Sequence, residues 1–360
     1  MRAVHVVVPA DVADTAVPSG GNTYDRRVCQ GLSVMGWSVS QVPVAGSWPR
    51  PDTAAEAALA AALAGIPDGA VVLVDGLVGC GVPEVVVPHA DRLRLAMLVH
   101  MPLADEAGLV PSVAADLDAG ERRTLRAAAA VVATSPWAAR RLVAHHGLAA
   151  ERVHAVAPGT DPAPVAGGTD GASRLVCVAA VTAGKGQDVL VEALAEVADL
   201  PWTCVLVGAL RRDPDYVDHV RDLAARHGLG DRVRLIGPVL GEQLAGIYAT
   251  ADLSVLASRT ETFGMVVTEA LARGIPMLAT DVGALRETLG TAGDGSVPGV
   301  LVPPGDPAAL AGALRAWLTD ASLRERLRAS ALLRRAAVGG WGQTSRTLAG
   351  VLDRLREEAA

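Results

Sequence analysis

The sequence predicts an α/β protein made of two Rossmann-like domains facing across a cleft. Three observations predict it. Short Val- and Leu-rich runs alternate with Ala-rich helical stretches throughout, the pattern of parallel sheets covered on both faces. The alternation breaks once, at residues 163–173, where small, flexible residues replace all periodicity, and then restarts. A chain of 360 residues with 51% hydrophobic composition is also long enough to bury two cores.

In the first half, apolar runs at 3–8, 37–42, 70–74, 94–100, 130–133 and 153–156 read as strands, and 22–35, 53–64, 114–127 and 136–146 as their helices. In the second half, strands are expected at 174–178, 203–207, 232–236, 253–257, 276–279 and 299–302, and helices at 188–197, 215–227, 241–249, 264–272 and 307–319. A helical, Arg-rich tail follows at 322–357. The expected organisation is a first domain at 1–162, a linker at 163–173, a second domain at 174–340 and a last helix within 341–360.

A net charge of −7 argues against a nucleic-acid partner and gives no general attraction to anionic membranes, which leaves small molecules. Cys29, Cys80, Cys177 and Cys204 are widely spaced without a Cys-x-x-Cys pair, so neither disulfides nor zinc are expected. The N-terminal apolar run is too short for a signal segment and leads into Asp11 and Asp14. No run approaches the roughly 20 apolar residues of a membrane span, so the expected location is the cytoplasm.

The most informative stretch is 258–270, Ser-Arg-Thr-Glu-Thr-Phe-Gly-Met-Val-Val-Thr-Glu-Ala, directly after an apolar strand. Gly264 lets a ligand approach the backbone, and the N–H groups of the helix it opens face an anion. Glu261 in the loop and Glu269 in the second helical turn can each accept hydrogen bonds from a different hydroxyl-rich group. A phosphate between two polyols describes a nucleotide sugar. Taken singly, both acids also suit an ordinary helix N-terminus.

This segment resembles the Glu-x7-Glu signature of the retaining family 4 glycosyltransferases of GT-B fold. The resemblance extends to residues 176–190 around Lys185, to Leu235-Ile236-Gly237-Pro238 and to residues 279–287, and more loosely to Gly20-Gly21-Asn22 and Val99-His100-Met101-Pro102. It implies that Glu269 binds the ribose hydroxyls and Glu261 the donor sugar, neither as a nucleophile. It further implies that Lys185 meets the diphosphate, that Gly237 and Pro238 lie beside the base, and that Phe263, Gly264 and Met265 line the donor. Gly20 and Gly21 would form a loop reaching the diphosphate through backbone N–H groups, and His100 would touch the sugar near the reacting carbon. His100, Lys185 and Glu261 are thus the expected catalytic residues. The resemblance also implies that the last helix crosses back to the first domain.

The chain departs from the family at Ala180, where an Arg on the diphosphate is usual. Arg211 and Arg212 are candidates for the missing charge, or a plain helix-flanking pair, with Ser258 and Arg259 behind them. Two adjacent glycines equally suit a tight turn, and a lone His at a strand end is often only structural. Asp105 and Glu106 lie in a loop within reach of an acceptor. Residues 158–161, Pro-Gly-Thr-Asp, read as structural.

The expected activity is metal-independent, retaining transfer of a sugar from a UDP-, GDP- or other nucleoside diphosphate to an acceptor hydroxyl, with no cofactor. A sugar-nucleotide epimerase or hydrolase of the same architecture is the alternative. A phosphorylase would need a pyridoxal lysine besides Lys185, the sole lysine. A two-domain periplasmic binding protein would need a signal segment.

Overall fold

The computed structural model describes residues 2–14 and 18–357 and divides into two compact units. The first takes in residues up to Asp14, Gly20–Gly159 and the chain from Gly339, and the second Thr160–Val338.

The first unit holds a six-stranded parallel sheet in the order β2-β1-β3-β4-β5-β6, from β1 (Ala3–Pro9), β2 (Ser38–Val44), β3 (Val71–Asp75), β4 (Arg94–Val99), β5 (Ala130–Ala133) and β6 (Val153–Ala155). Its crossovers carry α1 (Gly20–Val34), α2 (Thr53–Ala64), the short α3 (Gly76–Gly79) and α4 (Pro83–Val86), α5 (Pro111–Ala127) and α6 (Pro136–His146). Strand alternation divides the core between the two faces of the sheet. Val6, Val8, Leu73 and Leu98 join one cluster, while Val7, Val72, Val74, Met97 and Val99 join the other.

The second unit repeats the plan in the order β12-β11-β10-β7-β8-β9, from β7 (Arg174–Val178), β8 (Thr203–Val207), β9 (Val233–Gly237), β10 (Leu253–Leu256), β11 (Met277–Thr280) and β12 (Gly299–Val302). Between and after them run α7 (Gln187–Glu196), α8 (Pro214–Arg226), α9 (Gly241–Ala249), α10 (Met265–Leu271), α11 (Leu285–Leu289), α12 (Pro307–Thr319) and α13 (Ala321–Arg335). Helix starts are fixed locally. Asp213, Asp306 and Asp320 each accept a hydrogen bond from a backbone N–H three residues on, at 3.2, 2.9 and 3.0 Å.

Two sequence expectations need correction. Gly20 and Gly21 do not form a loop but the first turn of α1, where backbone N–H groups have no partner within the helix and glycine costs little. The helical tail divides at Gly339-Gly340, where the last helix was expected to begin, and α14 (Trp341–Glu357) belongs to the first unit. Residues 163–173 carry no helix or strand, yet they are fastened to the second unit rather than loose. Ala166 N–H donates to the Arg273 carbonyl at 2.9 Å, Gly168 N–H to Ala249 at 3.0 Å, and the Thr169 hydroxyl to the buried Asp252 at 2.6 Å.

Helix α14 lays Leu348, Val351, Leu352 and Leu355 into the same cluster as Val28 and Leu32 of α1. The two helices approach closely at Gly31, where a Cβ would stand 1.9 Å from the Ser345 hydroxyl. Leu352→Ala should therefore cost about 2–5 kcal/mol in urea unfolding, the range for truncating a fully buried leucine. Val34→Ala on α1, at a side chain 89% exposed, should stay within about 0.5 kcal/mol of the parent.

Candidate functional site

The expected site residues fall into two clusters, one in each unit, and each lies at the carboxyl edge of its sheet where the strand order reverses. In the second unit successive strands leave β7 toward β9 on one side, and from β10 toward β12 on the other. The loops after β7 and β10 therefore diverge and leave room for a ligand between them.

Lys185 and Glu261 occupy that gap and meet each other. The Lys185 Nζ donates to Glu261 Oε1 at 2.5 Å, and the Ser258 hydroxyl to the same oxygen at 3.1 Å. The Lys185 side chain is about a third exposed and that of Glu261 a tenth. Lys185 ends a 3-10 turn, Ala183–Lys185, and Gly186 follows at φ +65°, where a Cβ would stand 2.1 Å from the Ala257 carbonyl. Only glycine lets the β7 loop lie this close to the end of β10.

Arg259 is not available as a spare cation. Its guanidinium spans both oxygens of Asp188 at 3.0 and 2.7 Å and donates to the Ala183 carbonyl at 2.5 Å. Burial opposes charging Asp188, but Arg259 and the Tyr216 hydroxyl, 2.6 Å away, hold its carboxyl below the usual range. Arg259 thus clasps the Lys185 turn to the Glu261 loop. Arg211 and Arg212 are exposed after β8, and among the described residues no hydrogen bond or ion pair joins them to Lys185 or Glu261.

Gly264 caps α10 at φ +84°, with Phe263 and Met265 half-buried on either side. The Thr288 hydroxyl holds the Phe263 carbonyl at 2.6 Å. Gly283, at φ +54°, packs so tightly on the Glu261 carbonyl that a Cβ would lie 1.8 Å from it, and Ala284 N–H donates to that carbonyl at 3.0 Å. Glu269 accepts from the buried Tyr248 hydroxyl at 3.0 Å, and Arg273 lies 4.5 Å over the Tyr248 ring. Burial raises the Glu269 pKa, against the Tyr248 hydrogen bond and Arg273. Gly237 ends β9 at φ +77°, followed by exposed Pro238.

In the first unit His100 follows β4, and its Nε2 stands 3.0 Å from Asp25 Oδ1 and 3.9 Å from Asp75 Oδ2. Both acids are buried. The ring meets Tyr24 edge-on at 5.3 Å, and its Cδ2 lies 3.1 Å from where a Cβ on Gly21 would be. Burial disfavours the imidazolium, but the charge and hydrogen bond of Asp25, with Asp75 behind, raise the His100 pKa to about 9. Burial and the Asp25 charge push Asp75 up to about 8.

Sequence reasoning missed Asp25, Asp75 and Tyr248. Asp75 carried a signal, as an acid ending a fully apolar strand, whereas Asp25 and Tyr248 lie inside helical runs. Asp105 is taken by Arg141, whose Nε donates to it at 3.1 Å. Two Asp-x-Asp triplets occur, at 116–118 and 213–215. Asp213 caps α8, and Asp118 is bound by His145 and by Arg122 at 2.9 Å. Asp118, His145 and His146 lie close enough to share a cation, within 4.8 Å, but Glu121 already holds His146 Nε2 at 3.1 Å. No helix among the described residues is long and apolar enough to cross a membrane.

A family model described as glycosyl transferases group 1 matches residues 167–334. The D-inositol 3-phosphate glycosyltransferase 1 of Catenulispora acidiphila is 36% identical over 284 residues, 73% of this chain and 64% of the relative. The D-inositol 3-phosphate glycosyltransferase of Jonesia denitrificans is 33% identical over 298 residues, 75% of this chain and 69% of the relative. The matched region thus spans about two thirds of these curated relatives. Among solved structures, sucrose-phosphate synthase from Thermosynechococcus elongatus superposes with a TM-score of 0.82 at 21% identity, over the whole of both chains. Anabaena HepE in complex with UDP and glucose superposes with a TM-score of 0.76 at 17% identity, over 98% of this chain and 100% of that one. At such identities the likeness is one of fold.

The Asp75 and His100 pKa values are both raised over their ordinary ones, so the folded cluster keeps protons that the unfolded chain releases. Its stabilising contribution is complete at low pH and is lost as pH rises through about 8 for Asp75 and about 9 for His100. Unfolding free energy should fall with pH, by on the order of 1 kcal/mol per pH unit per group, and most steeply between the ordinary His value and 8. In Asp75→Asn that slope should be shallower from pH 4 to 8, a difference read by urea unfolding across the range.

Proposed function

We propose that this chain, which belongs to the group 1 glycosyltransferase family and has the GT-B fold, moves a sugar from a nucleoside diphosphate to an acceptor hydroxyl with retention of anomeric configuration and without a metal. The observation that carries the reading is the Lys185–Glu261 pair at the order reversal of the second sheet, inside the stretch that the family model matches. A lone ammonium has three donors, so Lys185 can keep Glu261 and still reach a diphosphate oxygen. Glu261 then accepts from the donor sugar, Glu269 from the ribose, and Gly237 and Pro238 flank the base. Gly264 with Phe263 and Met265 lines the diphosphate and sugar. The first unit takes the acceptor, with His100, Gly20 and Gly21 as its candidate contacts.

In the proposed step the acceptor oxygen bonds to the anomeric carbon as the bond to the diphosphate oxygen breaks on the same face. The acceptor proton passes to the departing phosphate. The protein supplies position and charge rather than a nucleophile, with Lys185 stabilising the leaving diphosphate. Supporting a nucleotide-sugar donor, HepE is described with UDP and glucose; the curated relatives' name makes D-inositol 3-phosphate the first acceptor to test. The four buried free cysteines fit a cytoplasmic location.

The reading is tested by thermal shift against nucleoside diphosphates and their sugars, where a ligand at a hundred times its Kd should add about 2.7 kcal/mol, followed by a transfer assay with the best donor. A chain that binds none and transfers from none overturns it. By calorimetry, Glu269→Gln should weaken free diphosphate and sugar nucleotide alike, whereas Glu261→Gln should weaken the sugar nucleotide far more. Equal losses for both ligands would refute the assigned roles. Transfer should persist in excess chelator and give, by NMR, a product with the donor's anomeric configuration. Loss of activity restored by magnesium, or an inverted product, would overturn the mechanism.

A further inference from the structure

We propose that Asp25, backed by Asp75, is a positioning residue for the reaction: it holds the His100 ring by Nε2 and fixes where the imidazole stands beside the first turn of α1. The inference rests on the sugar-transfer reading given above. His100 lies on the residue after β4, where neither helix nor strand restrains it. Its ring is nevertheless held on three sides, by Asp25 at 3.0 Å, by the edge of Tyr24 and by the backbone at Gly21. The Thr134 hydroxyl, after β5, steadies its carbonyl at 3.5 Å.

Asp25 serves the fold poorly. It follows Tyr24 and precedes Val28 on a helix face packed into the core, it is 1% exposed, and its Oδ2 has no hydrogen-bond partner among the described residues. An apolar residue there would avoid the cost of desolvating a buried carboxyl group. The same argument applies to Asp75, 4% exposed, whose Oδ1 accepts from Leu77 N–H at 2.7 Å while Oδ2 faces the ring. What both acids share is His100. Among the described residues, Asp25 and Tyr24 from α1 and Asp75 from β3 face the imidazole. The protonated imidazole, held next to the N–H-bearing first turn of α1, is the form that acts, presenting positive charge to the groups that react.

The test uses Asp25→Asn, which keeps the shape and a carbonyl acceptor but removes the charge. His100 is followed by imidazole NMR in the ligand-free protein, assigned with His100→Gln, and transfer rates are measured from pH 6 to 10. In the parent, His100 should titrate near pH 9 and kcat should fall along the same limb. In Asp25→Asn both midpoints should move down by at least one pH unit, with kcat at pH 8 lowered about 10- to 100-fold and partly recovered toward pH 6, the size typical of losing a residue that orients a catalytic side chain. A folded variant whose limb and titration match the parent overturns the inference. Should the variant fail to fold, the parent still decides, because a His100 midpoint near the ordinary histidine value would overturn it too. A parent that transfers no sugar but titrates near pH 9 would sink the functional reading while leaving the dyad in place.

Discussion

Parallel strands cannot be joined by hairpins, and that constraint organises everything else in this molecule. Each strand must be followed by a crossover long enough to carry the chain back to the same end of the sheet. All connecting loops at the carboxyl edge therefore gather on one side. Where the strand order reverses, between β1 and β3 and again between β10 and β7, neighbouring crossovers depart to opposite faces. The gap is a consequence of topology before any side chain fills it. Charged residues then collect there because the strands end and water can still reach them.

The two clusters solve the problem of half-buried charge differently. In the second unit, Lys185 and Glu261 neutralise each other while the Arg259–Asp188 clasp, made from the same two loops, fixes their approach. The pair remains part exposed, so a ligand exchanges hydrogen bonds with it rather than confronting an isolated ion. In the first unit three ionisable groups are drawn further in, and burial with the neighbouring Asp25 charge makes Asp75 hold its proton to higher pH. Such an arrangement is sensitive to pH, because the raised Asp75 and His100 values place their titration near 8 and 9.

Much of the fold was legible because parallel sheets repeat one pattern: β5, β7, β8 and β12 and helices α2, α6, α9 and α12 begin and end where apolar runs and Ala-rich stretches do. The placement of Lys185, Glu261, Gly264 and Glu269 on loops and helix starts after strands was legible as well, since each sits in a local strand–loop–helix motif. What escaped were contacts between distant parts of the chain. Asp25 and His100 are 75 residues apart, Arg259 and Asp188 are 71 apart, and nothing local in either partner announces the other. The small-residue run at 163–173 misled for a related reason. Its composition speaks of freedom, but the buried Asp252, holding Thr169, Arg174 and Arg328 together, removes that freedom from a distance.

The single lysine gives the molecule a chemical address. Apart from the histidines, every other basic side chain of the sequence is an arginine, which amine-selective acylating reagents do not modify. Lys185 therefore offers the one side-chain amine of the sequence, about a third exposed and locked to Glu261. Its acylation rate reports how firmly the carboxylate holds the ammonium and whether anything else has come to lie on it. Occupancy of this edge of the second sheet can be read as protection of one peptide in a mass spectrum, with no label built into the protein.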